Sequence, residues 1–281
     1  MKINYYKISN FMALNYSQIT FLKQLDKNCI HGKNILAKND KNNIENFYNE
    51  YNSFINSMNS SVIDKKIKAF IRYKNFVHTN NVNSNSKLIF SAQSKFESTI
   101  LEEFLYHLFK EFVSDDVINV GSVKAYNNLY FSPKNFESFK TQNFIKINEK
   151  DQDFSIYKII ELKDNNNESY KLSVPVVSIE CKTYIDKTML EGSIATGEKI
   201  KSGNPHCKFY IVTETYEVDY KVDPSTSRID NIFVLKKGGS ANRDKQYFPD
   251  VIKSIYNTVK TYLESNWSDI KNNIENKGMI F

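Results

Sequence analysis

The sequence predicts an α/β fold, and three features of its patterning say so. Between residues 44 and 112, apolar side chains recur at three-to-four spacing; residues 153–182 form two extended apolar runs around an Asn-rich turn; a helical stretch then leads into further extended runs. A strand, helix, strand succession of that length joins parallel neighbours by a crossover, so the expected sheet is mixed and flanked by helices.

Taken in order, "NDKNNIENFYNEYNSFINSMNS" at 39–60 places Ile44, Phe47, Tyr48, Tyr51, Phe54 and Ile55 on one helical face. In "DKKIKAFIRYKNF", Lys65, Lys66, Lys68, Arg72 and Lys74 interleave with Phe70, Tyr73 and Phe76. That mixture suits phosphate contact plus stacking, and equally a solvated helix face over a core stripe. The polar stretch "HTNNVNSNSK" reads as a linker. We therefore expect a mainly helical, basic N-terminal region over 1–85 and a second domain over 86–281.

The second domain opens with "SAQSKFESTILEEFLYHLFKEFV", where Phe96, Ile100, Leu101, Phe104, Leu105, Leu108, Phe109 and Phe112 share a stripe and Ser94 with Glu97 spells a capping box. After a turn-rich "SPKNFES", "DFSIYKIIEL" and "YKLSVPVVSIECK" form a hairpin around "DNNNES". "DKTMLEGSIATGEKIKSGNP" is a helix stopped by Pro205, "CKFYIVTETY" and "RIDNIFVLKK" are strands, and residues 250–276 close in one or two helices. "GGSANRDK", near Lys236, Lys237 and Arg243, is a basic loop suited to tracking a DNA backbone.

Composition limits the function classes. Of 281 residues 41% are hydrophobic and 14% aromatic, enough for a real core. Three cysteines, Cys29, Cys181 and Cys207, without paired spacing support neither a disulfide framework nor a zinc ribbon. No run of some eighteen apolar residues predicts a membrane span, and the opening "MKINYYKISNFMALN" has no apolar signal core. With eight glycines and no P-loop or GxGxxG, nucleotide-cradling loops are not expected, and four histidines show no metal spacing. The net charge of +6 favours a polyanionic partner; residues 1–100 hold 14 basic against 6 acidic side chains, so the excess is N-terminal.

Acid-x-Lys triplets occur six times, and only Glu180 with Lys182 ends an apolar strand and begins a crossover. If the hairpin pivots between Asn166 and Asn167, paired residues sum to 333 and Asp153 stands opposite Glu180, with Lys182 two places on along the same face. Pro175 cannot donate to the ladder and is the residue most able to bring a bulge. Two carboxylates so placed invite a hard cation such as Mg²⁺, and Lys182 can then orient a water or stabilise charge on a phosphoryl group. The same trio also makes a plain cross-strand ion pair. Asp151 is the alternative first acid.

Asp153, and twenty-seven positions later Glu180-Cys181-Lys182 at a strand end, resemble the PD-(D/E)xK nuclease superfamily. The phrases "SKFESTILEEFLYHLF", "KDQDFSIYK" and "SIECKTYIDKTMLE" resemble the type II restriction endonucleases of the Bpu10I-like family across about residues 90–240. The resemblance implies a restriction-endonuclease-like α/β core and Mg²⁺-dependent, sequence-specific cleavage of double-stranded DNA leaving 5′-phosphates. It implies a cognate, self-protecting methyltransferase partner. One such site per chain leads us to expect a homodimer or heteromer on DNA, and the unpaired cysteines suit a reducing, bacterial cytoplasm. By the resemblance Asp153, Glu180 and the backbone carbonyl of Cys181 would hold the metal, Lys182 would serve the attacking water, and Glu97 would be a further metal ligand. A repair or mobile-element nuclease of the same superfamily, or a non-catalytic DNA-binding module of the same fold, are the alternatives.

Overall fold

The computed structural model describes residues 14–38, 43–81, 90, 95–111, 117–141, 144–164, 167–237 and 246–279. The chain divides into two units: residues 1–114 with 120–122, and 115–119 with 123–281.

The first unit is helical: α1 (Tyr16–Gln24), α2 (Ile30–Leu36), α3 (Ile44–Met58), α4 (Ile63–Asn80) and α5 (Ser98–Phe109). On α3, Ile44, Phe47, Tyr48, Tyr51, Phe54 and Ile55 are all buried, as their spacing predicts. The stripe of α5 is buried too from Phe96 to Phe109, Phe112 lying outside the described residues, and it packs against α2 and α4, with Phe104 stacked on Phe70 at 4.3 Å. That packing places α5 in the first unit, so the units part beyond it and not at residue 85, which itself lies outside the described residues. The expected capping box is replaced. Glu97 is the N-cap of α5 in αR geometry without a side-chain cap bond, its carboxylate instead accepting from Asn81 Nδ2 at 3.2 Å. Ser94 lies outside the described residues.

The second unit holds a five-stranded sheet in the order β1-β2-β3-β4-β5: β1 (Ile118–Phe131), β2 (Ile145–Lys163), β3 (Ser169–Ile185), β4 (Lys208–Tyr216) and β5 (Asn231–Val234). Helix α6 (Phe136–Thr141) follows β1, α7 (Lys187–Gly203) joins β3 to β4, and α8 (Pro249–Leu263) and α9 (Ile270–Lys277) come last. β2 and β3 are antiparallel, while β3, β4 and β5 run parallel. The mixed α/β sheet flanked by helices is the predicted architecture. Seven consecutive residues of β4 are buried, as befits a parallel strand covered on both faces. Strand β1 was not anticipated: Gly121, Asn127 and Asn128 are poor strand formers, and its ladder with β2 overrides that preference.

The hairpin register carries the site. Near the turn, Lys163↔Ser169 through Tyr157↔Pro175 pair with sums of 332; from Ile156↔Val177 to Phe154↔Ile179 the sums are 333. Val176 is therefore the extra residue of a β-bulge beside Pro175, whose carbonyl accepts from Asn204 Nδ2 at 2.8 Å at the end of α7. The expected sum holds at the site end because the turn is centred half a residue earlier than anticipated and the bulge restores the difference. On the other side of β3, Asp186 caps α7 by accepting from Met189 N at 2.8 Å, which turns Leu190, Ser193, Gly197 and Ile200 inward. Gly197 brings α7 close to the sheet: a Cβ there would meet Phe209 Cδ1 of β4 at 2.9 Å.

Candidate active site

Beyond the pair Phe154↔Ile179 the strands part, and the Asp153 carboxylate reaches across to accept from the Cys181 backbone N–H at 2.9 Å through Oδ2. Glu180, 8% exposed, has its Oε2 bonded twice: by the Ser193 hydroxyl and by Lys182 Nζ at 3.5 Å. Asp153, Glu180 and Lys182 thus converge, as the register argument predicts. The exposed tip of the hairpin is different in kind, since Glu161 is exposed there and pairs with Lys171 at 3.2 Å. Asp151 is exposed, with its backbone carbonyl accepting from Gln152 Nε2 at 2.8 Å.

Burial works to lower the Lys182 pKa, but Glu180 and then Asp153 outweigh it, and the ammonium is held above the ordinary lysine value. Lys182 is therefore cationic at neutral pH. The side-chain donors gathered here beside Lys182, two carboxylates, are oxygen, which fits a hard divalent ion and does not resemble a thiolate or imidazole site. The Cys181 thiol is itself buried.

Ser193 was not singled out from the sequence. Small residues at positions 193 and 197 of an inward helical stripe are the signal that could have found it, since only a short side chain fits between a closely packed helix and the sheet.

The expected DNA-contact residues split in two. Lys65, Lys68 and Arg72 are exposed at i, i+3 and i+7 on one face of α4, Arg72 also touching Ser53 Oγ at 2.5 Å. Lys66 and Lys74, 3% and 4% exposed, are corrected: Lys66 pairs with Glu111 at 3.0 Å and Lys74 donates to the Glu97 carbonyl at 2.8 Å. Their spacing with Ile67, Phe70 and Val77 puts them on the buried face. Lys236 is corrected likewise, being 7% exposed, paired with Glu214 at 3.1 Å and set 4.8 Å over the Tyr247 ring. Lys237 is exposed, and Arg243 lies outside the described residues.

Glu97 belongs to the first unit, while Asp153, Glu180 and Lys182 belong to the second. Another possible ligand group lies within the first unit, where Cys29, Glu103 and His107 bring their ligand atoms within 4.8 Å of one another. Protein donors already engage Glu103: Oε2 accepts from His31 N at 2.9 Å and Gly32 N at 3.2 Å, and Oε1 from Tyr51 Oη at 2.6 Å. Burial, with Glu103 nearby, pushes the Cys29 thiol up to about 12. Nδ1 of His107 is buried without a partner among the described residues, whereas a metal-bound imidazole normally has its second nitrogen fixed by an acceptor. This cluster ties the first turn of α2 to α5, and its role is structural.

The Bpu10I restriction endonuclease family model matches residues 93–243, more than half of the chain and all of the hairpin, α7 and β4. The chain belongs to the Bpu10I restriction endonuclease family. Membership of this family makes it a site-specific nuclease, and the convergent residues of the hairpin fall inside the matched region. Among solved structures, one described as the native BbvCI A2B2 tetramer at low resolution matches with a TM-score of 0.62 at 19% identity, covering 89% of this chain and 97% of that one. At that identity the likeness speaks for the fold. No curated protein matches the sequence.

Proposed function

We propose that this member of the Bpu10I family is a type II restriction endonuclease that hydrolyses both strands of DNA at a short sequence with Mg²⁺, leaving 5′-phosphates. The observation that carries the reading is the convergence of Asp153, Glu180 and Lys182 where the β2–β3 ladder opens. Asp153, Glu180 and the Cys181 carbonyl would hold the ion, which when bound polarises a phosphoryl oxygen and lowers the pKa of a water. Asp153 is anchored by the Cys181 N–H and Glu180 by Ser193, so both carboxylates are set before substrate arrives. Lys182, kept protonated by its acidic neighbours, does not serve as a base. It donates to the attacking water and to the negative charge that grows on the phosphoryl group. Lys65, Lys68 and Arg72 supply sequence-independent phosphate contacts.

One such site per chain means that cutting two strands takes two sites or two visits. We favour a homodimer or heteromer on DNA, as the A2B2 assembly of BbvCI suggests, and a cognate methyltransferase that protects the host's own sites. Digestion of a sequenced plasmid tests the reading. Discrete fragments with Mg²⁺, none with chelator, 5′-phosphate ends, and no cleavage by Asp153→Asn are expected. A smear of products would point to a nonspecific nuclease, and sequence-specific binding without cleavage to a DNA-binding module.

A further inference from the structure

Ser193 has no part in the nuclease motif, yet it is 1% exposed and its hydroxyl donates to the buried Glu180 carboxylate. Three features of α7 put it there. The Asp186 cap sets the helical phase, Ser193 shares the inward stripe with Leu190, Gly197 and Ile200, and Gly197 lets the helix approach Phe209 closely enough for a one-carbon side chain to reach β3. The consequence is asymmetric. Ser193 and Lys182 both bond Oε2, and Oε1 has no hydrogen bond among the described residues. A buried carboxylate free to rotate about its last torsion would exchange its two oxygens, whereas one fastened through Oε2 presents Oε1.

We propose that Ser193 is a positioning residue for metal binding, fastening Glu180 through Oε2 so that Oε1 is presented to the divalent ion. The inference rests on the proposed nuclease reading and deepens it, because it gives α7 a part in the site beyond packing. Lys182 alone leaves the orientation loose, since its long side chain is partly exposed and reaches Oε2 only at 3.5 Å.

The test compares wild type with Ser193→Ala and Ser193→Cys in two measurements: Mn²⁺ binding followed by electron paramagnetic resonance, and the Mg²⁺ concentration that half-saturates plasmid cleavage. Loss of the hydroxyl in Ser193→Ala should weaken Mn²⁺ binding by about tenfold or more, the usual cost of removing a hydrogen bond to a metal-ligating group. The half-saturating Mg²⁺ should rise in parallel, with the rate at saturating Mg²⁺ nearly recovered. Ser193→Cys, which keeps the volume but offers only a weak donor, should follow alanine. Mn²⁺ affinity unchanged in both Ser193→Ala and Ser193→Cys would overturn the inference, as would a rate loss that saturating Mg²⁺ does not relieve. Glu180→Gln separates the two levels. If it abolishes Mn²⁺ binding while Ser193→Ala does not weaken it, only the role of Ser193 fails; if wild type binds no Mn²⁺, the metal-dependent reading fails with it.

Discussion

Replacing Lys182 by methionine keeps most of the side chain's volume and removes only its charge, which separates its chemical role from its packing. Nζ lies 3.5 Å from Glu180 Oε2, so at an effective dielectric of about 20 the gross attraction is about 5 kcal/mol. Most of that is offset by the desolvation of a side chain that is 28% exposed. If a fifth of it survives as net competition with a metal ion for the same carboxylates, about 1 kcal/mol, Mn²⁺ should bind Lys182→Met about fivefold more tightly. Cleavage should nevertheless fall by about 100-fold to 1,000-fold, the scale of losing one donor to the reacting group. Both quantities are measured on one preparation, by metal titration and by single-turnover cleavage of plasmid DNA. Undiminished cleavage would remove Lys182 from the chemistry, and weaker metal binding would show that it organises the carboxylates instead of competing for them.

The bulge makes a second prediction. On its site side, deleting Ser178 moves β3 by one residue against β2, which sets Asp153 opposite Cys181 and abolishes cleavage. One glycine inserted after Asn167 leaves the bulge and the pairs beyond it unchanged, so plasmid cleavage should persist; loss in the insertion and survival in the deletion would refute the register argument. Joint replacement of Lys65, Lys68 and Arg72 by alanine should weaken nonspecific DNA binding and reduce the slope of log affinity against log salt by about 2 to 3 in fluorescence anisotropy. An unchanged slope would remove α4 from the DNA interface. Burial, aided by Lys74, lowers the His31 pKa from 6.5 to about 3. The folded state thus resists protonation that the unfolded chain accepts, and the contribution of this group to stability is full above about pH 6.5 and is lost as the pH falls toward 3. By nuclear magnetic resonance the His31 ring should not titrate between pH 8 and 5, and a midpoint near 6.5 would contradict its neutral bridge between Phe96 O and Tyr73 Oη.

Local periodicity alone determined much of this protein: the buried faces of α3 and α5, the α/β succession from β2 to β5, and the prominence of Glu180 and Lys182 at the end of β3 all follow from residue spacing, because burial repeats with the period of the backbone. The pairing of Phe154 with Ile179, which brings Asp153 to the site end of β3, was legible as well, but through two half-steps that cancel. A turn centred earlier and a bulge at Val176 are both settled by long-range contacts, such as Asn204 Nδ2 on the Pro175 carbonyl. Charge was the least legible quantity. Lys66, Lys74 and Lys236 read as phosphate contacts until tertiary packing supplied Glu111, the Glu97 carbonyl and Glu214 as their partners. Ser193 belongs with them: its type and position are ordinary in the sequence, and it acquires meaning only when the crossover lays α7 against β3 and sets its hydroxyl on Glu180, a contact between residues that no local pattern relates.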